Sequence, residues 1–336
     1  MSDRRILSAI VPAYGSPDQV LACVDALRRS SEPLDEIIVV DDGTPGGLHL
    51  ADHSIRIVRH AENRGPSAAR NSGAAAAAGE WLLFVDADIE IDPDVPQRVR
   101  RTLEQHPEVS LVFGVYAEDR RARPISAYKN LYWRQKFMTL PADTPNVNTA
   151  LMAVRRQVFD QVRGFNETAH IGEDREFGQA VVSHGHQIRL DKQLVGAHRK
   201  EFTLGRLLRE HFRNTVNGSL VLFATRVRVR RADQEVLGAR FRFLAAIGVA
   251  GAAAVALVAA VVAGSRPLVL AAGALVVLFG VLTGDLLAAA RRLKGWTFAA
   301  LCLGLAFIEG LVACAGIAVA FVRYFVLGNP RRDFRI

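Results

Sequence analysis

Apolar positions follow two regimes along the chain. Up to about residue 235 they come in short runs cut by polar turns; beyond it they form long, nearly uncharged stretches. The runs at residues 6–11, 37–40, 55–58 and 81–85 are bounded by turn signals, as expected for strands buried on both faces. Between them, residues 18–29 place Val20, Cys23, Val24 and Leu27 on one helical face. Residues 67–78 are alanine-rich and closed by Gly79, a helix stop, and residues 173–183 predict a further helix after Gly172. This alternation predicts a largely parallel α/β sheet whose ligands bind at the carboxyl ends of the strands.

In the second regime, residues 243–263 carry no charge, 267–290 only Asp285, and 296–322 only Glu309. A helix needs about 20 apolar residues to cross a bilayer, so the expectation is about three transmembrane helices, with Glu309 turned into the bundle. Just upstream, Arg226, Arg228, Arg230, Arg231, Arg240 and Arg242 are opposed only by Asp233 and Glu235, the pattern of a cytoplasmic collar at a membrane surface. The first five residues are polar and the run at 6–11 is too short for a signal-peptide core. The expected division is a cytoplasmic domain at 1–225, a basic juxtamembrane linker at 226–242, a transmembrane region at 243–328 and a polar tail at 329–336.

Composition narrows the chemistry. With 50% apolar and 23% charged residues, the chain is not a disordered protein. Its net charge of +8 invites nucleic acid, but the C-terminal arginines flank apolar spans rather than stacking aromatics, so no nucleic-acid partner is expected. Cys23, Cys302 and Cys314 have no disulfide or metal-ligand spacing. The turn after the first run, Pro12-Ala13-Tyr14-Gly15, lacks the glycine pattern of dinucleotide sites, and no phosphate-loop lysine is present. Two other runs end in acids, Asp41-Asp42-Gly43 and Asp86-Ala87-Asp88. Such carboxylates suit Mg²⁺ or Mn²⁺ bridging to a pyrophosphate.

Seven segments carry a resemblance. They are Ser8-Ala-Ile-Val-Pro-Ala-Tyr14, Ile38-Val-Val-Asp-Asp-Gly-Thr44, Asn63-Arg-Gly-Pro-Ser-Ala-Ala-Arg-Asn-Ser-Gly73, Phe84-Val-Asp-Ala-Asp88, Asn148-Thr-Ala-Leu-Met-Ala-Val-Arg-Arg156, Arg163-Gly-Phe-Asn-Glu167 and Gly172-Glu-Asp174. In this order and spacing, over about residues 6–215, the chain resembles the inverting family-2 glycosyltransferases of the GT-A fold, here with a membrane anchor.

The resemblance implies roles. Pro12, Tyr14, Asp41, Asp42 and Arg70 would bind the nucleotide, Asp42 at the base or ribose and Arg70 at the base end. Asp86 would touch ribose or metal, Asp88 would ligate the divalent metal, and His198 would be a further ligand. Asp174 would be the general base and Glu173 its support. An acceptor oxygen already ionised needs little help from a base, so Glu173-Asp174 favours a hydroxyl acceptor over a polyprenyl phosphate. The apolar spans favour a lipid-linked saccharide or glycolipid. The helix that would carry the Gln-x-x-Arg-Trp motif of processive members reads Leu207-Leu-Arg-Glu-His-Phe-Arg213, which favours transfer of a single sugar. The expected setting is the cell membrane, crossed several times, with the catalytic domain in the cytoplasm. The alternative from another class is an inactive membrane scaffold.

Overall fold

The computed structural model describes residues 6–50, 55–168, 172–225 and 241–328. The arginine collar apart from Arg242, His170 and the polar tail lie outside the described residues. The chain divides into two compact units, Met1–Asp119 with Lys136–Lys200, and Arg120–Gln135 with Glu201–Ile336. This differs from the boundary expected near residue 225: residues 120–135 and 201–225 pack with the apolar helices, because their buried side chains find partners there rather than on the sheet.

The first unit follows the predicted alternation closely. In chain order it holds β1 (Leu7–Ala13), α1 (Pro17–Arg28), β2 (Glu36–Asp41), β3 (Arg56–Arg59), α2 (Pro66–Ala76), β4 (Trp81–Val85), β5 (Ile89–Ile91), α3 (Val95–Gln105) and β6 (Val109–Tyr116). After α4 (Pro124–Met138), most of which belongs to the second unit, come β7 (Leu151–Arg155), α5 (Arg156–Gln161), α6 (Glu173–Ser183) and β8 (Gln187–His198). Helix α1 opens with Pro17, whose fixed φ suits a first turn, and buries Val20, Cys23, Val24 and Leu27 as the periodicity predicts.

The eight strands form one sheet in the order β3-β2-β1-β4-β7-β6-β8-β5. The first four are parallel, as expected. The other half is mixed: β7 is antiparallel to both β4 and β6, and β5 is antiparallel to β8. An apolar run reports burial on both faces but not direction, which is set by connections the pattern does not encode. The carboxyl ends of β1, β2 and β4 lie side by side, and the acidic segments follow them.

Gly79 does not act as the stop of α2. The helix ends at Ala76, and Arg156 donates to the carbonyls of Ala74, Ala77 and Gly79, satisfying its C-terminal groups. Gly79 is needed for another reason: its N–H donates to Ser8 Oγ at 2.8 Å, and a side chain there would overlap that hydroxyl.

The second unit contains α7 (Leu204–Thr225), α8 (Phe241–Ala263), α9 (Arg266–Leu282) and α10 (Gly284–Phe321), closed by a π-helical turn at Val322–Val326. Helices α8 and α10 are long and apolar enough to cross a membrane; α9, at 17 residues, is shorter. Their apolar side chains are largely uncovered, with Val262 82% and Leu270 75% exposed. Helix α10 breaks at Lys294–Gly295, where Gly295 takes φ 85°. Arg120 donates to the carbonyls of Leu293 and Arg292, which the break leaves without helical partners. Glu309 is buried, as expected, and its partners are Lys129, Tyr128 and His211.

Close backbone approach also sets the position of α6. A side chain at Gly178 would overlap the Pro145 carbonyl oxygen. Gly178→Ala is expected to destabilise the protein by about 1–3 kcal/mol through overpacking. Thermal unfolding checks this, and an unchanged midpoint would show that the contact yields freely.

Candidate active site

The site grows from the turns that follow β1, β2 and β4. After β1, Tyr14 is 56% exposed and Gly15 takes φ 66°, its N–H donating to Thr44 Oγ1 at 2.9 Å. Pro12 lies within β1, half-buried, paired with Val40. The two turns are therefore tied to each other.

Asp41 and Asp42 are buried, and each is occupied by its own chain. Asp41 accepts Thr44 N on one oxygen, and Leu48 N and Arg59 Nε on the other, at 2.9–3.0 Å. Burial alone would raise its carboxyl, but the backbone donors of Leu48 and Thr44, with Arg59, outweigh it and hold the group below the usual range. Asp42 accepts Arg64 N at 2.9 Å and Gly65 N at 2.8 Å, and pairs with His60 Nδ1 at 2.7 Å. A carboxylate takes about four hydrogen bonds, so Asp42 keeps one position for a ligand. His60, whose other ring nitrogen meets Ser72 Oγ at 2.8 Å, was not singled out from the sequence. Its neighbours in the chain are ordinary turn residues, and only the fold brings it to Asp42.

Arg70 projects from α2 with its side chain 4% exposed. It donates to Asp86 Oδ1 at 2.7 Å, and its Nη1 lies 3.9 Å from Glu173 Oε1. Its guanidinium also stands 5.5 Å from the centre of the Phe165 ring. Arg70 thus lies between Asp86 and the start of α6. Its Nε and Nη1 have no hydrogen-bond partner among the described residues. Asp88 lies opposite His198, with Oδ2 and Nε2 3.5 Å apart. Burial pushes the Asp88 carboxyl up, but hydrogen bonding and charge from His198, with Lys200, pull it below the usual range. Tyr116, also found only through the fold, packs its ring 5.2 Å from His198 and donates to Asn148 Oδ1 at 3.3 Å. Arg199 bridges Glu90 and Asp119, while its N–H donates to the Asp88 carbonyl.

Gly172, at φ 85°, turns the chain into α6, so Glu173 and Asp174 occupy a helix N-terminus, where the dipole favours negative charge. Asp174 Oδ1 accepts Arg175 N at 2.7 Å. Burial, then the neighbouring Asp174, raises the Glu173 carboxyl, with Arg70 opposing. His184 and His186 are tied to Ala180, Ser110 and Gln161, as packing residues would be.

Among the described residues no three His, Cys, Asp or Glu side chains converge as a metal cage. The Asp88–His198 pair nevertheless fits a cation that takes its other ligands from water and phosphate, the habit of Mg²⁺ and Mn²⁺. Asp86, held by Arg70, is the less available of the two motif acids.

Residues 8–163 match the model of Glycosyl transferase family 2. Among curated proteins, the chain is 30% identical over 111 residues to an uncharacterized glycosyltransferase of Haemophilus influenzae, covering 32% of this chain and 38% of that protein. It is 26% identical over 218 residues to the pre-mycofactocin glycosyltransferase of Mycobacterium tuberculosis, covering 58% and 43%. The chain thus spans about two-fifths of the length of these relatives. Among solved structures, the mannosyltransferase PcManGT from Pyrobaculum calidifontis, in complex with GDP-Man and Mn²⁺, superposes with a TM-score of 0.59 at 22% identity. That match covers 92% of this chain and 88% of the other, and it identifies the α/β sheet as the GT-A type.

The Asp41 network has a defined pH signature. A carboxyl depressed in the folded state stabilises it above the unfolded value of about 3.9, and that contribution is lost as pH falls through the folded value. Asp41→Asn is expected to be less stable than wild type by about 1–3 kcal/mol at pH 7. The gap should close below about pH 4 in urea titrations; a gap independent of pH would assign the loss to shape instead.

Proposed function

We propose that this chain, whose residues 8–163 match the model of glycosyl transferase family 2, moves one sugar from a nucleoside-diphosphate sugar to a hydroxyl of a lipid-borne glycan, inverting the anomeric carbon. The observation that carries the reading is the span of Arg70. One buried guanidinium reaches both Asp86, beside the proposed donor site, and Glu173, beside the proposed base. In this reading the two halves of a displacement reaction are neighbours.

In this reading Tyr14 and Asp42 receive the base and ribose, Tyr14 with its exposed ring and Asp42 with its remaining acceptor position. Pro12 and Asp41 shape the turns beneath them. Arg70 uses its unpartnered Nε and Nη1 donors toward the donor's oxygens. A divalent cation held by Asp88 and His198, with Asp86 near, would offset charge on the departing nucleoside diphosphate. Asp174 takes the proton of the acceptor hydroxyl as its oxygen attacks the anomeric carbon and the bond to the diphosphate breaks. Glu173, next to Asp174 and within 3.9 Å of Arg70, supports that base. A single attack from the face opposite the leaving group inverts the centre. The likeness to a structure holding GDP-Man and Mn²⁺ supports this donor and metal class.

The uncovered apolar helices support a place in the cell membrane, crossed more than once, with the catalytic unit on the cytoplasmic side, where nucleotide sugars are made. A lipid-borne acceptor follows from that setting. Intact site acids weigh against a purely scaffolding role.

Chelation with EDTA should abolish transfer and added Mn²⁺ or Mg²⁺ restore it, while Asp88→Ala should lose metal-dependent donor binding in calorimetry. Full activity in EDTA would remove the metal from the scheme. Asp174→Asn should bind donor nearly normally yet transfer at least ~10²-fold more slowly, the range of general-base contributions. A near-normal rate would point instead to a phosphate acceptor.

A further inference from the structure

The second unit holds a polar cluster that the proposed reaction does not use. Glu309 sits in the apolar length of α10 with its side chain 4% exposed. Its Oε1 accepts Lys129 Nζ at 3.0 Å and lies 3.1 Å from His211 Nδ1; its Oε2 accepts the Tyr128 hydroxyl. Lys129 is itself buried, its ammonium 5.0 Å from the Tyr132 ring centre and 5.4 Å from that of Trp133. An ionisable group at such a depth marks a functional site more often than a packing detail.

Two features say what the cluster is built for. The first is a loose end. A carboxylate only accepts, so His211 donates to it from Nδ1, which leaves Nε2 to meet some other group. That Nε2 is buried and has no hydrogen-bond partner among the described residues. The second is a cavity of about 40 Å³ beside His211 and Glu309, walled by Phe243, Ile247, Phe279 and Ala306. Water serves this space poorly. The volume would hold about three waters, each needing two to four polar partners, whereas most of the wall is apolar, with Tyr128 and Glu309 already bonded to each other. The Thr283 hydroxyl, also at its edge, already donates to the Phe279 carbonyl.

We infer that this cavity binds the hydroxyl end of a neutral lipid alcohol, its oxygen hydrogen-bonded to His211 Nε2 and its first carbons lying against Phe243, Ile247 and Phe279. One hydrogen bond and an apolar remainder satisfy what the cavity offers. The inference rests on the reading of α8–α10 as membrane helices. A phosphate-headed lipid would carry its charge against largely apolar walls.

The test uses the full chain in phosphatidylethanolamine–phosphatidylglycerol vesicles and a farnesol carrying a diazirine and an alkyne. After irradiation, mass spectrometry should place the label on the segments around residues 243–247 and 306–310, and unlabelled farnesol should compete while farnesyl phosphate should not. His211→Phe should lower labelling at least tenfold. His211→Gln, which keeps an acceptor oxygen, should retain most of it. Ala306→Phe, which fills the cavity and leaves the cluster intact, should also abolish labelling, so the inference stays testable if His211→Phe does not fold. Undiminished labelling in both Phe variants, stronger competition by the phosphate, or label only on the outward faces of the helices would overturn it. Flotation of the same vesicles separates the two readings: a chain that fails to float sinks the membrane assignment, whereas one that floats without cavity labelling sinks this inference alone.

Discussion

A guanidinium buried among acids holds the candidate site together. Asp86 and Asp88 come from the end of one strand and Glu173 and Asp174 from the start of a distant helix, and without a cation between them these groups would repel. Arg70 supplies that charge from α2, donating to Asp86 and standing near Glu173. Burying it is costly unless its surroundings fix it, and they do: Phe165 lies beneath it, stacked on Phe177 and edge-on to Phe84. Because Phe177 belongs to α6 and Phe84 to β4, the same aromatic group that positions the cation joins the two acidic segments. A lysine would keep the charge but lose the fork that meets two carboxylates from one stem.

Much of this was legible in the residues before any coordinates. The first four strands and the helices over 17–28, 66–76 and 173–183 lie within two residues of where apolar runs and periodicity put them. Those signals are local, because a strand buried on both faces must be apolar throughout. Direction in the far half of the sheet was not legible, since β7 could run either way with the same composition. Nor was the division of the chain: residues 120–135 read as part of the soluble domain, yet their buried side chains meet helices more than 150 residues later.

The acids show a different limit. Reading Asp41 and Asp42 as ligand contacts takes account of what a carboxylate can offer a substrate. It omits the backbone N–H groups of Thr44, Leu48, Arg64 and Gly65, which turn inward and require acceptors. Those donors belong to turns whose path depends on the fold, so no spacing rule in the sequence announces them. The same holds for His60 and Tyr116, ordinary residues until β3 and β6 bring them beside Asp42 and His198.

The pairing of Lys129 with Glu309 spans 180 residues, and that separation has a meaning in time. On a ribosome adding roughly 5–20 residues per second, Lys129 emerges on the order of 10–40 s before its counter-ion exists. Throughout that interval an unpaired ammonium cannot enter an apolar interior and must stay hydrated. The segment that carries it therefore waits in water and docks only once the stretch of α10 holding Glu309 has been made.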